Sequence, residues 1–515
     1  MKQAGTSPPG SSRGPDAQLR AEHAPPRQPG DGKPELVGAP WKLLLPALPD
    51  RPVLAMGLPQ KDLRELARGR VPVHVLLTDE DSSQLPQCAE KEGELIGVSL
   101  ACLPPSYYRA VAVGPKHVRA VRPDEVAQLL CPGGASAWIG GRGTLPAKAR
   151  LLSAGFDSAL LYARLPRATG KILLPLNQKR ATRRGLFFYT PGKWHKRAAL
   201  RLADIALCLG CQIIFSPSVV VGQRQAGKAP KNAYLLDWLS GSLGAPVADV
   251  TIHSGWRKRT LLLLDEDGEP LAVAKAADNP VAKEAMGRET EALNQIARSA
   301  ELRRFVPAVL AVGHWGEHDV QVQSTAPLRV RYSTALTATH MSFLTALMGL
   351  GRREMSLTQW PSWERLYRAA QQWAPASADD ARAVREAIEA ARTSLREARI
   401  PFHRIHGDFA PWNIRMAPGQ FVVVDWEQSD AQGLPFYDLV HFKVRVDRLL
   451  KRKSVRLRDL LLEPQAALPV RESLDVMAGA FRDSALQALK AEQKEALVRL
   501  CLVNERLSAY DYVAL

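Results

Sequence analysis

His406–Met416 reads HGDFAPWNIRM, and twelve residues beyond its Asn413 a second carboxylate, Asp425, ends the apolar run in FVVVDWEQ, Phe421–Gln428. The apolar run is short and bounded by polar residues, as in a buried strand. That places the Asp425 carboxylate at a strand end, where it can project back toward the earlier loop. Pro411 and Trp412 fix and pack the turn between Asp408 and Asn413. The two stretches therefore offer a carboxylate that can orient or accept a proton, Asp408, and two hard oxygen ligands of the kind magnesium prefers, Asn413 and Asp425.

Working outward, Lys275 ends the strand-like LAVAK, and Glu289 lies 14 residues further on in the helical RETEAL. Phosphoryl transfer from a nucleotide needs few groups: a carboxylate for the acceptor hydroxyl, metal ligands, and a lysine on the phosphates fixed by a glutamate. Three strand-like runs in VADVTIHSGWRKRTLLLLDEDGEPLAVAKAAD, with DEDGEP as a hairpin turn, are followed by a helix, two more strands and a largely helical remainder. HxDxxxxN followed by a strand-borne Asp is the catalytic-loop and metal-loop pair of eukaryotic-type kinases.

With Asp425-Trp426-Glu427 as the second piece, the combination resembles the aminoglycoside phosphotransferase and choline kinase family of small-molecule kinases, over roughly residues 247 to 515. The resemblance implies a bilobal protein kinase-like fold, ATP or GTP as donor, Mg²⁺, and a hydroxylated small molecule as acceptor. It implies that Asp408 is catalytic and that Asn413 and Asp425 hold the metal. Lys275, Glu289 and Gly255 would serve the nucleotide. His406 would shape the catalytic loop, Asp438 in GLPFYDLVHF would support the helical lobe, and Glu427 would either touch a second metal or stand behind it. Gly255 is the only glycine of the nucleotide-covering loop TIHSGWRKRTL, a poor glycine loop such as small-molecule kinases of this type often have. Arg257, Lys258 and Arg259 fit phosphate contacts and a solvated hairpin tip equally well. Glu291 competes with Glu289 on a different helical face, and RE-x-x-AL favours Glu289. The acceptor would be chosen by the helical lobe, around Met341–Trp363 and the C-terminal helices. The kinase-like half is expected to fold and bind nucleotide alone.

From Trp41 to Leu176, short β-type runs alternate with helical stretches, which implies a parallel α/β sheet. LLCPGGASAWIGG and KARLLSAGFDSALLYARLP resemble segments of class I S-adenosylmethionine-dependent methyltransferases. Asp79, 22 residues after Gly57, stands where an acidic residue would grip a ribose. The first loop departs from that family: VLAMGLPQKDL has one glycine and then Leu58-Pro59, whose side chains would occupy cofactor space. The fold class expected is multidomain, a Rossmann-like parallel-sheet N-terminal domain with a degenerate cofactor loop joined to an α+β kinase-like domain. Its divisions are a disordered tail at 1–38, the methyltransferase-like domain at 39–176, a basic connector at 177–245 and the phosphotransferase domain at 246–515.

In the connector, Lys and Arg alternate with aromatic residues. An amphipathic segment packed on both domains is the reading preferred over nucleic-acid or membrane-surface contact through 179–201. A second basic run, Leu449–Asp459, reads as a solvated helix face. The net charge of +17 favours an anionic partner such as a nucleotide. Six cysteines in 515 residues are no disulfide scaffold, and Cys208 and Cys211, a lone CxxC, read as two buried thiols without metal. No apolar run approaches the about 18 residues that span a bilayer, and the N-terminus lacks the apolar segment of a secretory signal, so a cytoplasmic location is expected. Two other functions fit the same features: a catalytically inactive scaffold in a biosynthetic complex, and a methyltransferase with an accessory kinase-like domain.

Overall fold

Val219–Gln223 (β8), VVVGQ, is buried at every position, and Arg259–Leu264 (β10), RTLLLL, at all but one. Strands without polar alternation need cover on both faces, and both faces are covered here. In this computed structural model the described residues are 40–47, 50–67, 71–76, 95–98, 103–141, 144–165, 171–188, 194–209, 215, 217–224, 232–255, 258–328, 333–375, 377–450, 457–462, 486 and 488–514. The 1–38 tail, Asp79, Trp256, Arg257 and Cys211 lie outside them.

The N-terminal strands are Val53–Met56 (β1), Val73–Leu76 (β2), Leu95–Val98 (β3), Tyr108–Val113 (β4) and Leu130–Ile139 (β5). They pair in parallel in the order β3-β2-β1-β4-β5. The order reverses between β1 and β4, which sets a switch-point crevice at their carboxyl ends. Helix Gln60–Ala67 (α1) follows β1, and helices Pro123–Leu129 (α2) and Lys148–Ser153 (α3) flank β5. Strand β8 lies antiparallel between β5 and Ser158–Leu165 (β6), so a strand from the 177–245 stretch stands inside the sheet.

Ile172–Pro175 (β7) then pairs with β6 on one side and with Asp249–Ser254 (β9) on the other, through Ile172 with His253 and Leu173 with Ile252. Beyond β9 come β10, Pro270–Ala277 (β11), His318–Ser324 (β13) and Val309–Trp315 (β12), all antiparallel. The five-stranded lobe read from the sequence is thus one end of a single 13-stranded sheet. Leu261 and Leu263 pack in one core with Leu235 and Leu239 of helix Leu235–Leu243 (α6). Leu262 and Leu264 pack on Ala181 and Phe188 of helix Lys179–Phe188 (α4). Both helices come from the stretch read as a connector, and both cover the kinase-like lobe.

Sheets of this width curl. In a flat sheet at about 4.8 Å per strand, β1 and β10, seven places apart, would be separated by about 34 Å. Yet Glu65 of α1 meets Arg259 of β10 at 2.7 Å. One core accordingly runs from Trp41, Val53 and Leu66 to Leu261, Trp315 and Val322. Isolation of the kinase-like half, expected from sequence, would strip α4, β7 and this shared core from it.

Among the described basic residues of the connector, several are engaged within the fold. Arg183 pairs with Asp204 at 2.7 Å and Arg184 with Glu269 at 2.6 Å. Helix Trp194–Cys208 (α5) leaves Cys208 exposed, which corrects the expectation of a buried thiol there. The helical lobe packs Ala338–Met348 (α8), Trp363–Gln372 (α9), Ala378–Ser394 (α10), Tyr437–Arg445 (α11), Leu457–Leu462 (α12) and Ala491–Ala514 (α13) around an aromatic-rich core. Trp360 and Trp363, in the stretch assigned to acceptor choice, are buried in that core. No helix among the described residues is long and apolar enough to cross a membrane.

Candidate active site

Strand Ile400–Ile405 (β15) is buried throughout and delivers the chain to the loop His406–Ala410. Gly407 adopts φ +82°, and a Cβ there would lie 2.1 Å from the Gln428 carbonyl, so the turn requires glycine. Asp438, at the start of α11, accepts from the His406 amide at 2.7 Å and the Gly407 amide at 2.9 Å. It thereby anchors the loop from below. The His406 ring spans the site: Nε2 donates to the Val424 carbonyl at 3.0 Å, and Nδ1 accepts from the Asp408 amide at 3.1 Å. Both ring nitrogens are committed to backbone, which makes His406 a brace of the loop.

The 3-10 turn Pro411–Asn413 leads into the hairpin of Ile414–Ala417 (β16) and Gln420–Val423 (β17). The Asn413 amide donates to the Asp408 carbonyl at 2.9 Å and to Asp408 Oδ2 at 2.8 Å. Asp425 follows β17 with φ +71°, a left-handed conformation rare for a residue with a side chain. Here it turns the carboxylate into the cleft. Lys275 Nζ reaches Asp425 Oδ1 at 3.1 Å and Glu289 Oε2 at 2.7 Å. Glu289 sits on helix Pro280–Ala297 (α7) and is fully buried, whereas the Glu291 side chain is two-thirds exposed. Glu289 also accepts from the Trp426 amide at 3.2 Å, tying α7 to the Asp425–Glu427 stretch.

Lys258, in the turn of the β9–β10 hairpin, is not solvated. Its Nζ lies 2.6 Å from both Asp425 Oδ1 and Glu427 Oε2. Burial alone would raise the Asp425 carboxyl, but Lys258 and Lys275 together hold it well below the usual carboxylate range. Burial and the Asp425 charge push Glu427 up instead. Arg259 is buried and paired with Glu65 and with Asp278, the latter at 2.8 Å. Gly255 donates its amide to the Lys258 carbonyl at 2.9 Å and closes the hairpin end.

A cavity of about 440 Å³ opens at this cluster. Lys258, Lys275, Asn413 and Asp425 give it a charged lining, and Phe188, Val273 and Leu328 an apolar one. The size and mix suit a small-molecule or cofactor site. Phe188 belongs to the preceding α4, a contribution no kinase motif announces. Asp408 stands beside the cavity with its side chain 30% exposed. Among the described residues no three His, Cys, Asp or Glu side chains gather as a self-sufficient metal cage. Asp425 and Asn413 instead offer one carboxylate and one amide oxygen, the small protein share that magnesium takes when phosphates complete its shell.

Two residues at the site were not read from the sequence. His441 of α11 lies 2.9 Å from Asp408 Oδ1, and Glu505 of α13 lies 2.5 Å from the other nitrogen of that ring. His441 stands three residues after Asp438, nearly one helical turn, and that spacing was a usable signal. Glu505, in a 24-residue helix near the chain's end, had none.

Among curated proteins no significant match is found. Among solved structures, a thermostable mutant of aminoglycoside phosphotransferase APH(4)-Ia in apo form is similar at 15% identity, covering 53% of this chain and 99% of that one, with a TM-score of 0.31. The same enzyme's D198A variant, in a ternary complex with ADP and hygromycin B, gives 16%, 53% and 99%, with a TM-score of 0.31. ADP-bound aminoglycoside phosphotransferase APH(2'')-Ib gives 14%, 52% and 97%, with a TM-score of 0.30. The family model of APH, the phosphotransferase enzyme family, matches residues 235–450, from α6 through the His406–Ala410 loop to a few residues beyond α11, and that stretch is similar to a domain of this family.

Proposed function

We propose that the protein transfers the γ-phosphoryl group of ATP or GTP to a hydroxyl of a small molecule. The observation that carries the reading is the convergence of Lys275, Asn413 and Asp425 on one cavity, with Glu289 paired to Lys275 behind it and Asp408 beside it. Lys275, braced by Glu289, binds nucleotide phosphates, and Gly255 shapes the covering hairpin. Asn413 and Asp425 would hold Mg²⁺, which when bound offsets phosphate charge. Asp408 orients the acceptor hydroxyl and takes its proton. His406 and Asp438 keep the loop in place, and Glu427 sits beside Asp425 as a further oxygen. The test is ADP release by the full chain from Mg·ATP across a library of hydroxylated metabolites. Acceptor-dependent release that Asp408→Asn abolishes is expected. A folded protein that neither gains thermal stability with Mg·ATP nor releases ADP overturns the reading.

The N-terminal half, 39–176, we read as a Rossmann-like, methyltransferase-like domain without a working cofactor loop. Support comes from the β3-β2-β1-β4-β5 order and from the filled crevice at its switch point. A Cβ on Gly57 would lie 2.3 Å from His117 Nδ1, and Leu58 is buried. Calorimetry of the full chain with S-adenosylmethionine should show no saturable binding at millimolar concentration. Micromolar affinity would overturn this reading.

A second function, a nucleotide-binding scaffold without turnover, draws on Lys258, which already sets a cation between Asp425 and Glu427. Nucleotide binding without ADP release under any acceptor would favour it.

A further inference from the structure

Asp408 is held at both oxygens. Asn413 donates to Oδ2 at 2.8 Å, and His441 Nε2 faces Oδ1 at 2.9 Å. On the far side of the imidazole, Nδ1 faces Glu505 Oε2 at 2.5 Å. His441 is 2% exposed and Glu505 9%, so this chain lies out of solvent while Asp408 stays open at its outer side.

A neutral imidazole has one donor and one acceptor nitrogen, and a carboxylate can only accept. Carboxylates on both nitrogens are bonded at once only by the imidazolium. Arg445 Nε also directs its N–H at His441 Nε2, at 3.3 Å, and competes with Asp408 for that nitrogen. Asp408 is nearer and anionic, so the Nε2 proton goes to Asp408. Arg445 Nη2 meets Glu505 Oε1 at 3.3 Å, and Tyr437 donates to Glu505 Oε2 at 3.3 Å. These contacts fix the carboxylate that fixes the ring. The groups facing His441 are therefore Asp408 from the loop, Tyr437, Asp438 and Arg445 from its own helix, and Glu505 from α13.

We propose that His441, oriented by Glu505, is the positioning residue for the Asp408 carboxylate, so that the C-terminal helix α13 sets the geometry of the catalytic group. The proposal rests on the phosphotransferase reading of Asp408. The terminal torsion of an aspartate is broad and loosely two-fold. With Asn413 alone, the carboxylate swings about one hydrogen bond. With His441 as the second donor, its plane is set, and each oxygen keeps a lone pair for the acceptor hydroxyl. Burial works against a charged ring, but Glu505 and Asp408 overcome it and lift the His441 pKa to about 9.

The experiment uses the full chain and three variants, His441→Phe, His441→Gln and Glu505→Gln, with circular dichroism as the folding control. ADP release from Mg·ATP with water as acceptor is followed from pH 6 to 10. His441→Phe should lower kcat by about 100-fold, the loss for a misplaced reacting group, with KM for Mg·ATP within about twofold. His441→Gln keeps an N–H toward Asp408 and should recover part of the rate. Glu505→Gln should move the high-pH limb of the profile to lower pH. Equal losses in both His441 variants with an unmoved limb would mean a merely structural role and overturn the proposal. If His441→Phe fails to fold, the other two variants carry the test. If the folded wild type releases no ADP with water or with any acceptor of the library and gains no thermal stability with Mg·ATP, the phosphotransferase reading fails by itself. Positioning is then decided by ¹⁵N-histidine NMR of the full chain: a doubly protonated His441 ring at pH 8, lost in Glu505→Gln, supports the contact, and a neutral ring overturns it.

Discussion

Arg259 Nη2 donates to Glu65 Oε1 at 2.7 Å, and the guanidinium is wholly buried, so α1 of the N-terminal half and β10 of the kinase-like lobe share one ion pair inside one core. Removing one partner of a buried pair leaves an uncompensated charge. Glu65→Ala is expected to destabilise the protein by about 3 kcal/mol, the low end for such losses, since Asp278 still faces Arg259. Denaturant unfolding followed by tryptophan fluorescence and by circular dichroism should give coincident single transitions, shifted together in the variant. Two separate transitions would mean that the halves unfold independently.

A fragment of residues 246–515 should not behave as a stable unit. It lacks β7, so the β9 edge is bare, and it lacks the α4 and α6 cover over Leu261–Leu264. Unpaired edges and apolar sheet faces associate. Size-exclusion chromatography of the fragment should show aggregates where the full chain does not. A monodisperse fragment with full Mg·ATP affinity would contradict this.

Asp408 and Asp425 should fail differently. Asp408→Asn should leave Mg·ATP affinity nearly intact and slow phosphoryl transfer by about 10²–10⁴-fold, the range for a lost general base. Asp425→Asn should weaken magnesium-dependent nucleotide binding itself, because a charged ligand is gone. Nucleotide titrations beside single-turnover rates separate the two.

Lys258 occupies the oxygens that a divalent ion would take under the proposed function, at 2.6 Å from Asp425 and from Glu427. Lys258→Met should therefore tighten nucleotide-free Mn²⁺ binding, read by electron paramagnetic resonance. Unchanged or weaker Mn²⁺ affinity would show that the ammonium does not guard the site.

Stability should fall on the alkaline side. His441 titrates near 9 in the fold against 6.5 for a free histidine, burial opposing and Glu505 and Asp408 prevailing. A group with a raised folded pKa stabilises fully below its unfolded value and loses that contribution as pH rises through the folded one. The loss between pH 6.5 and 9 amounts to about 3 kcal/mol, at roughly 1.4 kcal/mol per pKa unit. Denaturation midpoints across that window should drop for the wild type and stay flatter for His441→Gln.

Much of the site was legible because its pieces are local. The apolar run Phe421–Val424 announced a strand with Asp425 at its end, and β17 spans Gln420–Val423. LAVAK and RETEAL lie in β11 and α7, where the Lys275–Glu289 pair forms across 14 positions. Glu289 was separable from Glu291 only by motif, and in the structure it is Glu289 that pairs with Lys275. Lys258 was left between two readings because a basic hairpin tip looks alike whether it faces solvent or two carboxylates.

The sequence by itself determined the chemical groups, their order along the chain, and the strands and helices that carry them, since periodicity and turn chemistry act over a few residues. Only the tertiary structure decided that both halves share one sheet, that Arg259 is buried against Glu65 across 194 positions, and that Glu505 meets His441 across 64 and through it reaches Asp408. Such contacts arise when a wide sheet curls and when a distant helix packs beside α11. Neither event leaves a local pattern, because the hydrophobic burial that drives both depends on area removed from water and not on spacing along the chain.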